Sequence, residues 1–503
     1  MNLSTAETDA ILSAAAENKE SSSQPWAGEV RRMLVALEDY EFQPGRRPPL
    51  AKLCEAGARY GWKFLEAAGP DLRDVSPRAK ASLRRDLRHS LAELTRPCLE
   101  LERTSFGFAM DSIGVVAAPA DSTSIERMFL RDKPSDRLFS LFKKFPVLAR
   151  LWGQVIGQWR QQVTEVLVRL KADRRVLSQA FFDGRPLGKI KNVRGGLSDR
   201  HNSGRTVMRL QFDAGSVIYK PRSGLGEWEW FSLLSWMNEN SFRPTLRAAR
   251  VLPRRGYCWM EDIAAAPCKN DAAARRFFQR MGGMIAAAHL LKAVDCHRDN
   301  IIASGEYPIL VDVDALWHVS PVTKTQSSSD VLYRTGFFPD SNRRGLQSRS
   351  SALGRGTTGN HRARLAGKPL EARLYTREIV TGFARAWRSI LGTRNRRAAF
   401  ARRLRRIRSQ ERRWIYWATE TYANIRRASL QPAALRSGVE RDLLITRLCT
   451  ESRVTSAPID AEVHSLKQLD IPYFIRRSDE RMPPEERTVP LELVTAVRDA
   501  LQF

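Results

Sequence analysis

The sequence predicts an α+β protein: a mixed central third flanked on both sides by mostly helical chain. Three observations carry this. From Trp26 to about Lys171, apolar residues recur at i, i+3, i+4 and i+7, the spacing of amphipathic helices. Near Phe181 the texture changes to turn-rich chain, followed by short apolar and β-branched runs bounded by glycine. Past about residue 370 the helical spacing returns.

Taken in order, residues 1–25 are polar and small and read as a flexible tail, and residues 26–175 as an N-terminal helical region. Residues 176–480 read as the chemical core with a helical C-terminal part. In it, Thr206–Phe212 and Ser216–Lys220 read as strands joined by a hairpin at Asp213-Ala214-Gly215. Helices fit Glu227–Glu239 and Ala272–Ala293, with a strand pair between them in VLPRRGYCWMEDI. ASGEYPILVDVDALW, from Ala303, reads as a turn and a buried strand. Residues 341–369, rich in Gly, Ser and Arg, read as a mobile loop. Thr393–Arg413 holds ten arginines and one acid, yet Phe400, Leu404 and Ile407 keep helical spacing, so it reads as one helix with a basic outer face. Residues 481–503 form the C-terminal end.

The chain has 503 residues and a formal net charge of +28. A solvated arginine-rich surface accounts for such an excess, and so does an acidic partner: nucleotide, nucleic acid or acidic peptide. Basic charge without a nucleic-acid-binding motif makes nucleic acid the weaker choice. Six cysteines with no C-x-x-C spacing argue against a zinc site or a disulfide framework, which fits a reducing cytoplasm. No run reaches the roughly 18 apolar residues of a membrane span, and the N-terminus lacks signal-peptide patterning.

The chemistry concentrates in Asp295-x-His297-x-x-Asn300 and, after an apolar run, Asp312-x-Asp314. Two carboxylates and an amide on adjacent elements are hard oxygen ligands for Mg²⁺ against ATP phosphates, and a further carboxylate can orient an attacking hydroxyl. The competing reading is a helix cap at Asp299/Asn300 and a salt-bridging Asp312. Lys220, at a strand end before Pro221-Arg222, can reach phosphates as a point charge, although a lone strand-end lysine is usually only solvated. Asp199 and His201, in Ser198–Gly204, form either an acid/base pair or an Asx-type turn. His289 reads as a core or capping histidine. GRPLGKI is not a phosphate loop, since its glycine spacing is short and Ile190 stands in the Ser/Thr place.

Several segments in order resemble the dehydratase domain of class II lanthipeptide synthetases, over about Phe181 to Phe474. SDRHNSGRTV is similar to the family's G-D-x-H-x-x-G-R-x-V, and VIYKPRS followed by FSLLSWMN to its Y-K-P-R-S and L-x-W-x-N helix. VDCHRDNIIASGEYPILVDVDALW is similar to T-D-x-H-x-x-N…P-x-x-x-D-x-E. Arg413-Trp-Ile-Tyr-Trp-Ala-Thr419-Glu-Thr-Tyr is similar to R-x-x-x-x-x-T-x-x-Y, and Leu469–Phe474 to the closing segment.

The resemblance implies a lipid-kinase-like, two-lobed core with helical additions. It implies an enzyme that phosphorylates Ser/Thr of a ribosomal precursor peptide with ATP and Mg²⁺, then eliminates phosphate to leave dehydroalanine or dehydrobutyrine. By that resemblance Lys220, Asp295, His297, Asn300, Asp312 and Asp314 serve phosphoryl transfer. Asp295 takes the hydroxyl proton, and Asn300 and Asp312 hold the metal. Asp199, His201, Arg413 and Thr419 serve elimination. Four residues depart from the pattern: Ser198 for Gly, Asp314 for Glu, and Trp417-Ala418 for Arg-Pro. The chain ends about thirty residues after Phe474, where the family continues into a zinc cyclase. The expectation is a precursor peptide with an acidic leader as partner, no zinc, no ring formation by this polypeptide, and a separate cyclase or other tailoring enzyme. A kinase that stops at phosphorylation and a non-catalytic peptide-binding scaffold are the alternatives.

Overall fold

A computed structural model describes residues 5–16, 25–38, 49–112, 134–318, 328–339, 351–354, 359–451, 458–477 and 490–502. The chain divides into two compact units, and neither is continuous. The first comprises Met1–Tyr219 and Tyr416–Pro472, the second Lys220–Ile415 and Tyr473–Phe503. The division differs from the linear one read from the sequence, because chain after Ile415 returns to the first unit and Tyr473 onward returns to the second.

In the first unit, helices Pro25–Glu38, Pro49–Ala68, Pro77–Ser112, Pro134–Lys144 and Pro146–Phe182 bury their apolar stripes together. Each starts on proline, which loses no hydrogen bond in a first helical turn. Trp152 is fully buried and donates its indole N–H to Thr95 Oγ1 at 3.0 Å. It fits because Gly57 opposite has no side chain: a Cβ there would lie 2.6 Å from the Trp152 ring.

Residues 5–15, expected in a flexible tail, instead form the helix Thr5–Ala15 with Ile11, Leu12 and Ala15 buried. Arg150, itself 1% exposed, donates to Ala15 O at 3.0 Å and pairs with Asp442 Oδ1 at 3.4 Å. The apolar residues of AILSAA supply this burial, which a reading by polarity passes over. Helices Thr419–Ala428, Gly438–Glu451 and Ile459–Lys467 form a smaller core of their own around Tyr422, Ile445 and Leu466. The unit also holds the antiparallel meander of Asn192–Arg194, Met208–Gln211 and Ser216–Lys220, the last strand up to Tyr219. Its second turn is the expected hairpin, while the short first strand lacked a visible alternation.

In the second unit, helices Asp271–Leu290 and Thr376–Leu391 cross backbone to backbone. A Cβ on Gly282 would lie 1.9 Å from Ile379 O, and one on Gly382 would lie 1.8 Å from Gln279 O. Hairpins Val251–Arg254/Tyr257–Glu261 and Ile301–Ser304/Tyr307–Leu310 stand with them. The arginine-rich segment is a helix, Arg394–Ser409, that buries Phe400, Leu404 and Ile407 as its spacing predicts. Its basic face is partly committed, since Arg406 makes a two-pronged bond to the buried Glu229. The strand Arg412–Trp414 then pairs with Phe474–Arg476. Of 341–369, residues 351–354 and 359–369 are described and end in the hairpin Arg364–Leu365/Lys368–Pro369; the rest of that expected mobile loop lies outside the described residues. The C-terminal end includes the helix Leu491–Gln502. Among the described residues no helix is long and apolar enough to cross a membrane. All six cysteines are buried and free.

Candidate functional site

Seven of the predicted residues, Lys220, Asp295, His297, Asn300, Asp312, Asp314 and Arg413, belong to the second unit and meet around one acidic cluster. Its base is the loop after the Asp271–Leu290 helix. Asp295 sits at φ 68°, a left-handed conformation that aspartate tolerates better than most residues. The loop is pinned by backbone bonds from Val294 to Ala315 O at 3.1 Å and from Cys296 to Thr335 O at 2.8 Å. Asn300 Nδ2 donates to Asp295 O at 2.7 Å, which fixes its amide and leaves the amide oxygen as the outward acceptor. Val311 N donates to Asn300 O at 2.8 Å, so Asp312 begins one residue beyond a direct pairing with Asn300.

His297 Nδ1 accepts the Asp299 N–H at 3.2 Å, which puts the ring proton on Nε2. That nitrogen stands 3.3 Å from Asp295 Oδ1. On the other side Arg413 Nη1 lies 3.5 Å from Asp295 Oδ2 and 3.8 Å from Asp314 Oδ1. Burial raises the Asp295 pKa, with Asp314 and Asp312 adding to it, while His297 and Arg413 oppose the shift. A carboxylate that ionises with difficulty accepts a proton readily, which suits a base.

Lys220 is only 4% exposed. Its ammonium donates to Glu227 Oε1 at 2.8 Å and to Val311 O. Glu227, in the first turn of the helix Leu225–Glu239, is fully buried and also receives Arg222. Arg222 continues to Asp312 Oδ1 and lies 3.4 Å from Asp314 Oδ2. Burial alone would lower the lysine and arginine pKa values, yet Asp312 and Glu227 outweigh it and raise both. Both cations are therefore charged.

The helix reaches this position because Gly224 and Gly226 carry no side chain. A Cβ on Gly226 would lie 2.1 Å from Val313 O, and Gly224 has φ 68° with Cys258 Sγ 2.4 Å from its Cβ position. Gly226→Ala should therefore destabilise the fold by roughly 1–3 kcal/mol, read as a lower thermal midpoint. An unchanged midpoint would show that the helix does not depend on this approach.

Glu227, Arg222 and Tyr473 were not singled out from the sequence. Tyr473 donates to Asp314 Oδ2 at 3.3 Å, and Arg413 stacks over its ring at 5.5 Å. The available signals were Lys220-Pro-Arg222 and the acid seven residues after Lys220. Tyr473 lies 159 positions from Asp314 in sequence, and no local signal joins them.

The oxygens differ in availability. The Asp314 side chain is 10% exposed and is met by Arg222, Arg413 and Tyr473, whereas the Asp312 side chain is 28% exposed. Asp312 and Asn300 thus fit a metal better than Asp314, which serves as the centre of the cation cluster. Among the described residues no group of three His, Cys, Asp or Glu side chains could hold a metal alone. A one-carboxylate, one-amide set fits Mg²⁺, which takes one or two carboxylates and completes its shell from phosphates and water.

Asp199, His201 and Thr419 belong to the first unit. Asp199 is exposed. His201 lies in a tight turn closed by its own backbone bonds with Arg205, with Asn202, Ser203 and Gly204 all at positive φ. The Asp470 carboxylate accepts the Ser203 and Gly204 N–H groups. His201 Nδ1 donates to Ile471 O at 2.7 Å, so Nε2 is the basic nitrogen of the neutral ring. Thr419 begins the helix Thr419–Ala428. Arg413, expected with this elimination set, contacts Asp295 and Asp314, because its strand carries it beside them. His289 is buried 6.0 Å from Trp387, its pKa pushed down to about 4 by burial, as suits a core histidine.

Two comparisons with known proteins bear on this arrangement. A family model described as "Domain of unknown function (DUF4135)" matches residues 145–362 and 355–477, together about two thirds of the chain. The lacticin 481/lactococcin biosynthesis protein LcnDR2 of Lactococcus lactis subsp. lactis is 21% identical over 207 residues, 39% of this chain. The match spans 22% of that protein's length.

Proposed function

Because the chain belongs to the DUF4135 family, the domain of LanM-type (class II) lanthipeptide synthetases, we propose that it phosphorylates Ser/Thr of a ribosomal precursor peptide and then eliminates the phosphate. The observation that carries the first half is the convergence of Asp295, Asn300, Asp312 and Lys220 in one body, with Glu227 holding the lysine. A lipid-kinase-like architecture is part of the same proposal.

Asp295 accepts the substrate hydroxyl proton, and His297 Nε2 orients its carboxylate. Lys220 and Arg222 place fixed positive charge against the nucleotide phosphates, where charge neutralisation dominates this chemistry. Asn300 and Asp312 would hold Mg²⁺, which would neutralise charge on the transferring phosphoryl group. In the second half the peptide's α-proton is removed and phosphate leaves. His201 Nε2 and Asp199 are the candidate bases, and Arg413 and Thr419 the donors to the departing oxygens.

The decisive experiment is intact-mass analysis of a candidate precursor peptide after co-expression with this protein. Loss of one water per modified residue is expected, and a peptide of unchanged mass sinks the proposal. Arg413→Ala should accumulate phosphopeptide. If that variant yields only unphosphorylated peptide, Arg413 acts through Asp295 and not on the leaving phosphate. The 3.5 Å approach of Arg413 to Asp295 favours one second reading, a kinase that does not eliminate. It predicts phosphopeptide as the final product of the unaltered protein.

A further inference from the structure

The last stretch of the first unit, Leu469–Pro472, grips the turn that carries His201. Asp470 is 3% exposed, and a carboxylate so buried is costly unless its oxygens are hydrogen-bonded. Here they are taken by two consecutive backbone groups. Oδ2 accepts the Ser203 N–H at 2.6 Å and Oδ1 accepts the Gly204 N–H at 2.9 Å. Ile471 bonds the same turn through both of its own backbone groups. Its N–H donates to Arg200 O at 2.8 Å, and its carbonyl accepts His201 Nδ1–H at 2.7 Å. Asp470 is in turn fixed from behind, because its N–H donates to Ser465 O at 2.9 Å in the helix Ile459–Lys467.

The turn needs such a grip. Asn202, Ser203 and Gly204 follow one another at φ 48°, 69° and 77°. Glycine takes that left-handed backbone freely and asparagine tolerates it, but in serine Cβ crowds the following carbonyl. Successive N–H groups in a turn converge into a concavity that binds an anion. The Asp470 carboxylate is that anion, supplied by the chain itself. What the turn then presents is the His201 ring, with Nδ1 bound to a carbonyl and Nε2 as the proton-accepting nitrogen.

We propose that Asp470 is a positioning residue for elimination: by holding the Arg200–Gly204 turn it aims His201 Nε2 at the peptide's α-proton. In that step the Cα–H proton passes to Nε2, its electron pair forms the Cα–Cβ double bond, and the Cβ–O bond breaks as phosphate leaves. Asp470 takes no proton in it, since both of its oxygens are engaged by backbone and its side chain is buried. This role rests on the elimination reading above, with His201 as its base.

The test is elimination by the full chain from a candidate precursor peptide synthesised with phosphoserine, read as loss of phosphate by intact mass. Asp470→Asn offers one oxygen and an amide donor where the turn needs two acceptors, so it should loosen the turn. Its kcat for elimination is expected to fall about 10–100-fold, the loss that follows when a reacting group stands about 1 Å from its place, with KM for the phosphopeptide unchanged. Adding Ser203→Gly should restore kcat about fivefold, because glycine holds a left-handed φ without the carboxylate's help. Ser203→Val acts in the opposite sense. A β-branched residue at φ 69° strains the turn while Asp470 stays in place, so kcat should fall here as well. Thermal midpoints check folding, and Ser203→Val carries the test if Asp470→Asn does not fold. Full elimination rates in the folded variants overturn the positioning role. So does a loss in Asp470→Asn that Ser203→Gly leaves unrelieved, because a freer turn cannot replace a carboxylate that acts directly as base. An unaltered protein that leaves the phosphopeptide intact refutes the elimination reading itself.

Discussion

Asp295→Asn should lower phosphoryl transfer about 10²–10⁴-fold, the range lost with a positioned general base. The amide keeps the size, and its single oxygen can still accept from either His297 or Arg413 but not both, because these meet different carboxylate oxygens of Asp295. What it loses is the capacity to take a proton. The measurement is the initial rate of phosphopeptide formation under saturating Mg·ATP, with folding checked by thermal melt. A variant that folds and phosphorylates at the unaltered rate would remove Asp295 from the chemistry and move the base elsewhere. Asn300→Ala makes the contrast: it removes the bond that fixes the Asp295 carbonyl and the amide oxygen offered to metal. Its defect should be partly relieved by raised Mg²⁺, whereas that of Asp295→Asn should not be.

Glu227→Ala should be the most destabilising single change in this region, by about 3–5 kcal/mol, because it leaves two buried cations without their shared counter-ion. Lys220→Met should cost less stability, since Arg222 still satisfies Glu227, yet it should cost more phosphoryl transfer in relation to its stability loss. Chemical denaturation midpoints together with ADP-release rates separate the two. Equal stability losses in both variants would argue against Glu227 as the shared centre. The same triad fixes a pH dependence. Burial works to raise the Glu227 pKa, but Arg222 and Lys220 outweigh it and hold it below the ordinary glutamate value of 4.5. The group binds fewer protons folded than unfolded, so its stabilisation is fully present above that value and fades as pH falls below it. Glu227→Gln should flatten this acid limb; an unchanged limb would assign it to other carboxylates.

Much of the site was legible because it is local. Asp295, His297 and Asn300 fall within six residues and bond to one another, although the loop that carries them is also pinned by backbone bonds to Ala315 and Thr335. Lys220 was legible for a similar reason, as the end of a strand whose hairpin partner is four residues away. What escaped was long-range. Arg413 reads as a phosphate ligand in isolation, but a strand 118 positions after Asp295 puts it against that carboxylate. Tyr473 and Glu227 carry no unusual local pattern, and only packing makes them members of the cluster.

Most element types followed from the sequence by itself, the helix Thr5–Ala15 and the short strand Asn192–Arg194 being exceptions. Helical periodicity, the Asp213-Ala214-Gly215 hairpin and the buried stripe of the arginine-rich helix depend on interactions within a few residues, where composition and spacing act directly. The partition of the chain did not follow. Tertiary structure alone decided that Tyr416–Pro472 joins the first unit and that Tyr473 onward joins the second. Hydrophobic burial is non-directional and indifferent to sequence distance, so which surfaces meet is set by the shape of the whole core. A glycine at Gly57, Gly226 or Gly282 then decides how close those surfaces come.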